Sequence, residues 1–283
     1  MKAALFVIGI VVVVYALCCA FLFFMQERML FHPHQVSEHN RRQLQQYAVA
    51  FSAPDGAVLR GWMQPGKNVN DDNTAEKTAC DLIIYFGGSA EEVSASILSG
   101  NPAPQIDRLY VNYRGYGDSG GKPSAAAMRG DALLIAKEAM AKWHIAPARL
   151  CLVGRSLGSH MAAFAAAHYP VAKLIMITPF DSVTNLAAAR YPIFPVRRML
   201  RHPFDTTKIA HQIRARTLFI LAQTDSTVPP ENSAALIKLW QAPHETITLK
   251  NTTHARLHTP RYWQTISAFL TTPQQPPENN GIK

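Results

Sequence analysis

The stretch Leu150-Cys151-Leu152-Val153-Gly154-Arg155-Ser156-Leu157-Gly158 decides the reading of this chain. Its first four residues are a short apolar run suited to a buried strand, and an alanine-rich helical stretch follows over residues 161–168. Between them lies a G-x-S-x-G pattern, the signature of a serine held on a sharp strand-to-helix turn. Strand and helix pass so close at such a turn that Cβ atoms on either flank would collide, and the serine itself adopts a strained backbone. Ser156 would stand at the top of a sheet beside a helix N-terminus, where a developing anion is favoured.

Working outward, apolar strand-like runs alternate with helical ones. Residues 45–51 and 58–63 flank the turn signal Pro54-Asp55-Gly56. Strands are expected over 81–86, 108–113, 150–153, 173–178, 217–222 and 245–249. Helices are expected over 91–99, 128–143, 161–168, 230–240 and 261–270. Residues 64–79 read as a mobile loop. This alternation predicts an α/β fold: a mostly parallel sheet flanked by helices on both faces. No repeat divides the chain, and a single domain is expected over residues 47–270, with a short lid segment at about 180–204. The tail, 271–283, is rich in Pro, Gln and Asn and is expected to be disordered.

A serine hydroxyl needs a neighbouring base, and the base an orienting carboxylate. In the order serine, acid, histidine, the best acid is Asp225, in the loop leaving strand 217–222. Asp181, in the loop after strand 173–178, is the runner-up, and with Ser182 it could instead cap a helix. Of the 11 histidines, His254 has the right order and loop position. His258 reads as a surface or packing residue, His244 falls at the wrong edge, and His160 and His168 read as packing residues. Acyl transfer also needs oxyanion donors, each worth roughly 3–4 kcal/mol. The N–H of Leu157 is one; the other is expected from Ser89, with Gly88 second, in the loop after strand 81–86.

With these residues in view, Phe86-Gly87-Gly88-Ser89-Ala90-Glu91, Asn112-Tyr113-Arg114-Gly115-Tyr116-Gly117-Asp118-Ser119-Gly120, the Gly154–Gly158 pentapeptide, Asp225 and His254 resemble the α/β-hydrolase superfamily. The apolar N-terminus followed by Arg28-Met29-Leu30-Phe31-His32-Pro33 is similar to its membrane-anchored serine hydrolase branch, related to prolyl oligopeptidase-like hydrolases. The resemblance spans about residues 27–270. Gly87 stands where many relatives have histidine, and Ala255 where they often have a polar residue. Arg114 and Asp118 are expected to form an internal ion pair.

From Ala3 to Met25 no residue is charged. At ~1.5 Å per residue this makes about 34 Å of helix, against a bilayer core of about 30 Å. Residues 1–26 therefore read as a single-pass membrane anchor and 27–46 as a polar connector. The competing reading is a cleaved signal peptide, for which Ala16-Leu17-Cys18 is a poor cleavage site. The Lys/Arg count, with Arg28, Arg41 and Arg42 after the span, leans towards a cytoplasmic domain. A short N-terminal tail leans the other way, and the orientation stays open. Cys151 reads as a small buried apolar residue, and no metal-ligand spacing appears.

The net charge is +9. Much of it collects in Arg190, Arg197, Arg198, Arg201, Lys208, Arg214 and Arg216, which suits either anionic lipid headgroups or a solvated basic face. No nucleic-acid module accompanies it. The lid supplies Phe180, Leu186, Tyr191, Ile193, Phe194 and Pro195, a small apolar cover suited to acyl groups. The expected activity is hydrolysis of carboxylic esters or thioesters, including lipid-derived acyl groups, without a cofactor. A peptidase or amidase on the same residues is the enzymatic alternative, and a non-catalytic membrane-tethered binding module the other.

Overall fold

The computed structural model describes residues 1–67 and 79–272. Most of the loop expected over 64–79 and nearly all of the tail expected to be disordered lie outside the described residues. The chain opens with α1 (Lys2–Leu30) and α2 (Glu38–Leu44). It continues through β1 (Ala48–Ser52), β2 (Val58–Gln64), β3 (Leu82–Phe86), α3 (Ser94–Ser99), β4 (Asp107–Val111) and α4 (Ala125–Lys142). Then come β5 (Leu150–Arg155), α5 (Leu157–His168), β6 (Lys173–Ile177), α6 (Val183–Arg190) and α7 (Val196–Met199). The last elements are β7 (Arg216–Ala222), α8 (Pro230–Lys238), β8 (His244–Leu249) and α9 (Pro260–Thr271).

Among the described residues the strands form one 8-stranded sheet in the order β1-β2-β4-β3-β5-β6-β7-β8. The pairs β1–β2 and β2–β4 are antiparallel and all others are parallel. Strands β5 and β6 read as continuous apolar runs because helices cover both of their faces. On one face Leu152, Met176 and Phe219 meet Ile135 of α4 and Met161 of α5. On the other, Cys151, Val153 and Ile175 meet Tyr262, Ile266 and Phe269 of α9. The alternation along β5 is the two-residue period of a strand. The alanines of α5 let that helix sit close to the sheet, and its first turn follows directly on Ser156.

Several expectations are corrected. The polar connector is partly helical: α1 runs on through Glu27 to Leu30, and α2 is capped by Ser37, whose Oγ accepts from the Asn40 N–H at 3.2 Å. The helix expected from residue 91 starts at Ser94, because the two carboxylates before it are occupied elsewhere. Glu91 accepts from the Tyr85 hydroxyl at 2.7 Å, and Glu92 from the Asn112 amide at 2.8 Å. Arg114 does not pair with Asp118. Gly115 and Gly117, both at positive φ, turn the chain between them. Arg114 instead holds the buried Asp131 of α4 with two hydrogen bonds, at 2.6 and 2.7 Å, while Asp118 is bound by Arg41 of α2.

Cys151 is not a free thiol. Parallel pairing of β3 with β5 sets Ile83 opposite Cys151. Cys80, just ahead of β3, thereby comes to a Cα–Cα distance of 5.7 Å from Cys151, and the two form a disulfide with a sequence separation of 71. A cross-link over a loop of that length stabilises by restricting the unfolded chain. Replacing both cysteines by alanine is expected to lower the unfolding free energy by about 2–4 kcal/mol. Chemical denaturation of the two proteins side by side checks this.

His160 lies buried in α5 with Nδ1 2.9 Å from the Thr206 hydroxyl. Burial, reinforced by Arg129, pushes its pKa down to about 3. The folded state therefore keeps His160 neutral while the unfolded state protonates below the ordinary value of about 6.5. Stability is retained above that value and falls as pH drops from there towards the folded pKa, by up to about 1.4 kcal/mol per pH unit. In His160→Leu this part of the acid destabilisation should vanish, as read from the pH dependence of urea midpoints.

Candidate active site

At the end of β5 the chain must reverse into α5 with almost no room. A Cβ on Gly154 would collide with the backbone of Gly158, and one on Gly158 with the carbonyl oxygens of Phe86 and Gly87. Ser156, between them, takes φ 51° and ψ −117°, a conformation that costs an L-residue energy and persists because its neighbours enforce it. Its N–H donates to the Ile177 carbonyl of β6 at 2.8 Å, and its carbonyl accepts from the Ser159 N–H at 2.9 Å. Only the hydroxyl is left pointing out of the turn.

That hydroxyl meets a histidine. His254 Nε2 lies 3.0 Å from Ser156 Oγ, and His254 Nδ1 lies 2.8 Å from Asp225 Oδ2. The three residues come from turns following β5, β7 and β8, so the parallel sheet gathers them at the C-terminal ends of its strands. Asp225 is buried, and its other oxygen accepts the N–H groups of Thr227 and Val228 at 2.9 and 2.8 Å. These bonds fix the carboxylate and leave Oδ2 facing the imidazole. The two loops are clamped to each other, since the Thr252 carbonyl accepts both the N–H and the hydroxyl of Thr224. Such a chain can remove the hydroxyl proton and return it to a leaving group.

The other candidates are placed elsewhere. Asp181 accepts from the Ser182 N–H and from the amides of Asn185 and Asn232, tying α6 to α8. His258 packs at a tilt against the rings of Tyr262 and Trp263, and burial lowers its pKa. His244 packs on Phe219 and His168 on Phe164.

The loop after β3 brings Ser89 to the same cavity as Ser156 and Leu157. The Gly88 N–H is already committed to Glu91, at 2.8 Å, which removes it as a free donor. The Ser89 N–H has no protein acceptor among the described residues, and Leu157 opens α5, where backbone donors lack helical partners. Two tyrosines hold this loop from behind. Tyr113 donates to the Gly87 carbonyl at 2.8 Å and Tyr116 to the Ser89 carbonyl at 2.7 Å. Burial raises both phenol pKa values, so both remain donors. The His32 N–H also reaches the Ser89 carbonyl, at 2.9 Å, which ties the segment after α1 to the site.

Sequence reasoning missed this supporting network and one further link. Arg155 bridges Glu91 at 3.1 Å and the His254 carbonyl at 2.9 Å, so a single guanidinium joins the β3 loop to the histidine loop. An arginine at the end of an otherwise apolar strand was the available signal. Among the described residues no cluster of His, Cys, Asp and Glu is arranged to hold a metal ion.

The site opens into a cavity of about 790 Å³ with a mostly apolar lining. Phe180, Leu186, Tyr191 and Phe194 form one side, and Leu22, Phe23, Met29 and Leu30 of α1 form another.

Comparison with solved structures agrees with this architecture. The Pyrococcus furiosus esterase Pf2001 superposes with a TM-score of 0.61 at 14% identity, covering 85% of this chain and 97% of the esterase. The acetyl xylan esterase of Paenibacillus sp. R4 gives 0.60 at 16% identity, covering 85% and 96%. The chain has the α/β-hydrolase fold. An α/β-hydrolase of Vibrio vulnificus gives 0.62 at 17% identity over 83% of this chain and 84% of its own. No family model matches the sequence. An uncharacterised protein of Mycobacterium tuberculosis is 25% identical over 254 residues, 89% of this chain and 88% of that protein. Human ABHD12B is 32% identical over 151 residues, which are 49% of this chain and 40% of ABHD12B. These likenesses do not single out the prolyl oligopeptidase-related branch of the superfamily.

Proposed function

We propose that this α/β-hydrolase is a serine hydrolase that cleaves carboxylic esters or thioesters through an acyl-serine intermediate. The observation that carries the reading is the hydrogen-bonded chain from Asp225 through His254 to Ser156, set at the head of an apolar cavity. Ser156 Oγ attacks the substrate carbonyl while His254 Nε2 takes its proton. The tetrahedral oxyanion is met by the N–H groups of Leu157 and Ser89. His254 then gives the proton to the departing alcohol or thiol as its bond to carbon breaks. Water, deprotonated by the same imidazole, attacks the acyl carbon, and the imidazolium returns that proton to Ser156 Oγ as the bond from Oγ to the acyl carbon breaks. Asp225 keeps the imidazole in the tautomer that accepts at Nε2 and stabilises the imidazolium.

On this reading α1 is a retained anchor. Its end does more than tether: Gln26 donates to the Met199 carbonyl at 3.3 Å and accepts from the Arg201 N–H at 2.7 Å. The disulfide supports a domain on the oxidising side of the membrane, since such bonds persist there and are reduced in the cytosol.

The test pairs the wild type with Ser156→Ala, read by fluorophosphonate labelling and by hydrolysis of p-nitrophenyl esters of rising acyl length. Labelling and turnover should both vanish in the alanine variant; a folded wild type that neither labels nor turns over contradicts the proposal. Tyr116→Phe frees the Ser89 carbonyl on one side only. It should lower kcat about tenfold, equivalent to ~1.4 kcal/mol of barrier, with KM and the melting temperature nearly unchanged.

A further inference from the structure

The cavity ends on a helix that, by length and composition, can cross a bilayer. The lid segment follows that helix downwards. At its upper end Arg201 pairs with Glu27 at 3.1 Å and lies over the Phe23 ring. At its lower end the Tyr15 hydroxyl donates to the Ile193 carbonyl at 2.8 Å, and the Tyr15 ring stacks on Phe194 with centroids 5.6 Å apart. Tyr15 and Gln26 are separated by about 16 Å along the helix at ~1.5 Å per residue, about half of a bilayer core of roughly 30 Å. The lid tip therefore sits beside the apolar part of α1, well past the uncharged boundary at Met25.

The side chains at the tip match that position. Past α1, three large apolar residues among those described stand exposed: Leu98, Ile193 and Leu239. Ile193, at 72%, is the most exposed of them. Arg190, Arg197 and Arg198 flank the tip, are exposed, and have no carboxylate partner among the described residues. An apolar tip flanked by unpaired arginines fits a leaflet containing anionic headgroups, with long side chains reaching back to the interface.

We infer that the lid tip, Tyr191 with Ile193 and Phe194, is immersed in the lipid leaflet beside α1. The cavity opens there, so the substrate is an acyl-ester amphiphile that slides from the bilayer past Leu22, Phe23 and Met29 to Ser156. The substrate part of this inference rests on the serine hydrolase and anchor readings. The immersion of the tip does not depend on catalysis.

The test uses the full chain in vesicles of phosphatidylcholine with phosphatidylglycerol. In a Cys18→Ala, Cys19→Ala background, Ile193→Cys carries an environment-sensitive NBD label, and Leu239→Cys, at the opposite end of the sheet, serves as reference. The label at 193 should be blue-shifted and quenched by a lipid bearing a nitroxide on its acyl chain, while the label at 239 should be neither. Equal water exposure at the two positions overturns the immersion. Separately, Ile193→Glu should lower turnover of methylumbelliferyl oleate held in the vesicles by about tenfold or more. It should leave soluble methylumbelliferyl butyrate unaffected, since Ile193 does not line the cavity. An equal loss on both esters, or no loss on either, overturns lateral entry. A wild type inactive on both esters would defeat the hydrolase reading and leave the quenching result standing.

Discussion

The close passage of β5 against α5 is the constraint on which the rest of the structure depends. Gly154 and Gly158 meet backbone where a Cβ would be, and the serine between them is left at φ 51° with both of its main-chain groups hydrogen-bonded. A residue so fixed cannot relax by rotating its backbone, and its hydroxyl has one direction to face. The strain is held in place by β6 on one side, through Ile177, and by the β3 loop on the other. The position of the hydroxyl is therefore a property of the sheet as a whole.

The other parts of the site are held with matching rigidity by backbone and side-chain hydrogen bonds around it. The Asp225 carboxylate is locked by two backbone donors, and the His254 loop by Thr224 and Arg155. Tyr113, Tyr116 and the His32 N–H hold the carbonyls of the β3 loop in place. An oxyanion site works because its donors are already aimed when charge develops. On the proposed reading the segment after α1 takes part in that aiming, and the helix itself lines one side of the cavity.

Much of this was legible in the sequence because it depends on local rules. The β5 turn needs glycines, the strands need apolar runs, and the order of Ser156, Asp225 and His254 follows from which strands carry them. Less legible were partners set by tertiary packing. Arg114 looked paired with Asp118 four residues on, yet the turn between them separates the two, and Asp131 arrives from another helix. Cys151 looked like an apolar filler, because the register that brings Cys80 to it exists only once β3 and β5 pair. Gly88 looked available as a donor until Glu91, expected in a helix, folded back onto it. The contacts between α1 and the lid join residues 178 apart in sequence, and no local pattern announces them.

The central claim is that Ser156 carries the acyl group. The most direct measurement is peptide mass spectrometry after reaction with p-nitrophenyl dimethylcarbamate, whose acyl-enzyme hydrolyses slowly enough to accumulate. A carbamoyl adduct is expected on the peptide bearing Ser156, formed in step with nitrophenolate release and absent from every other serine. Nitrophenolate release without that adduct, or an adduct on a different residue, would contradict it.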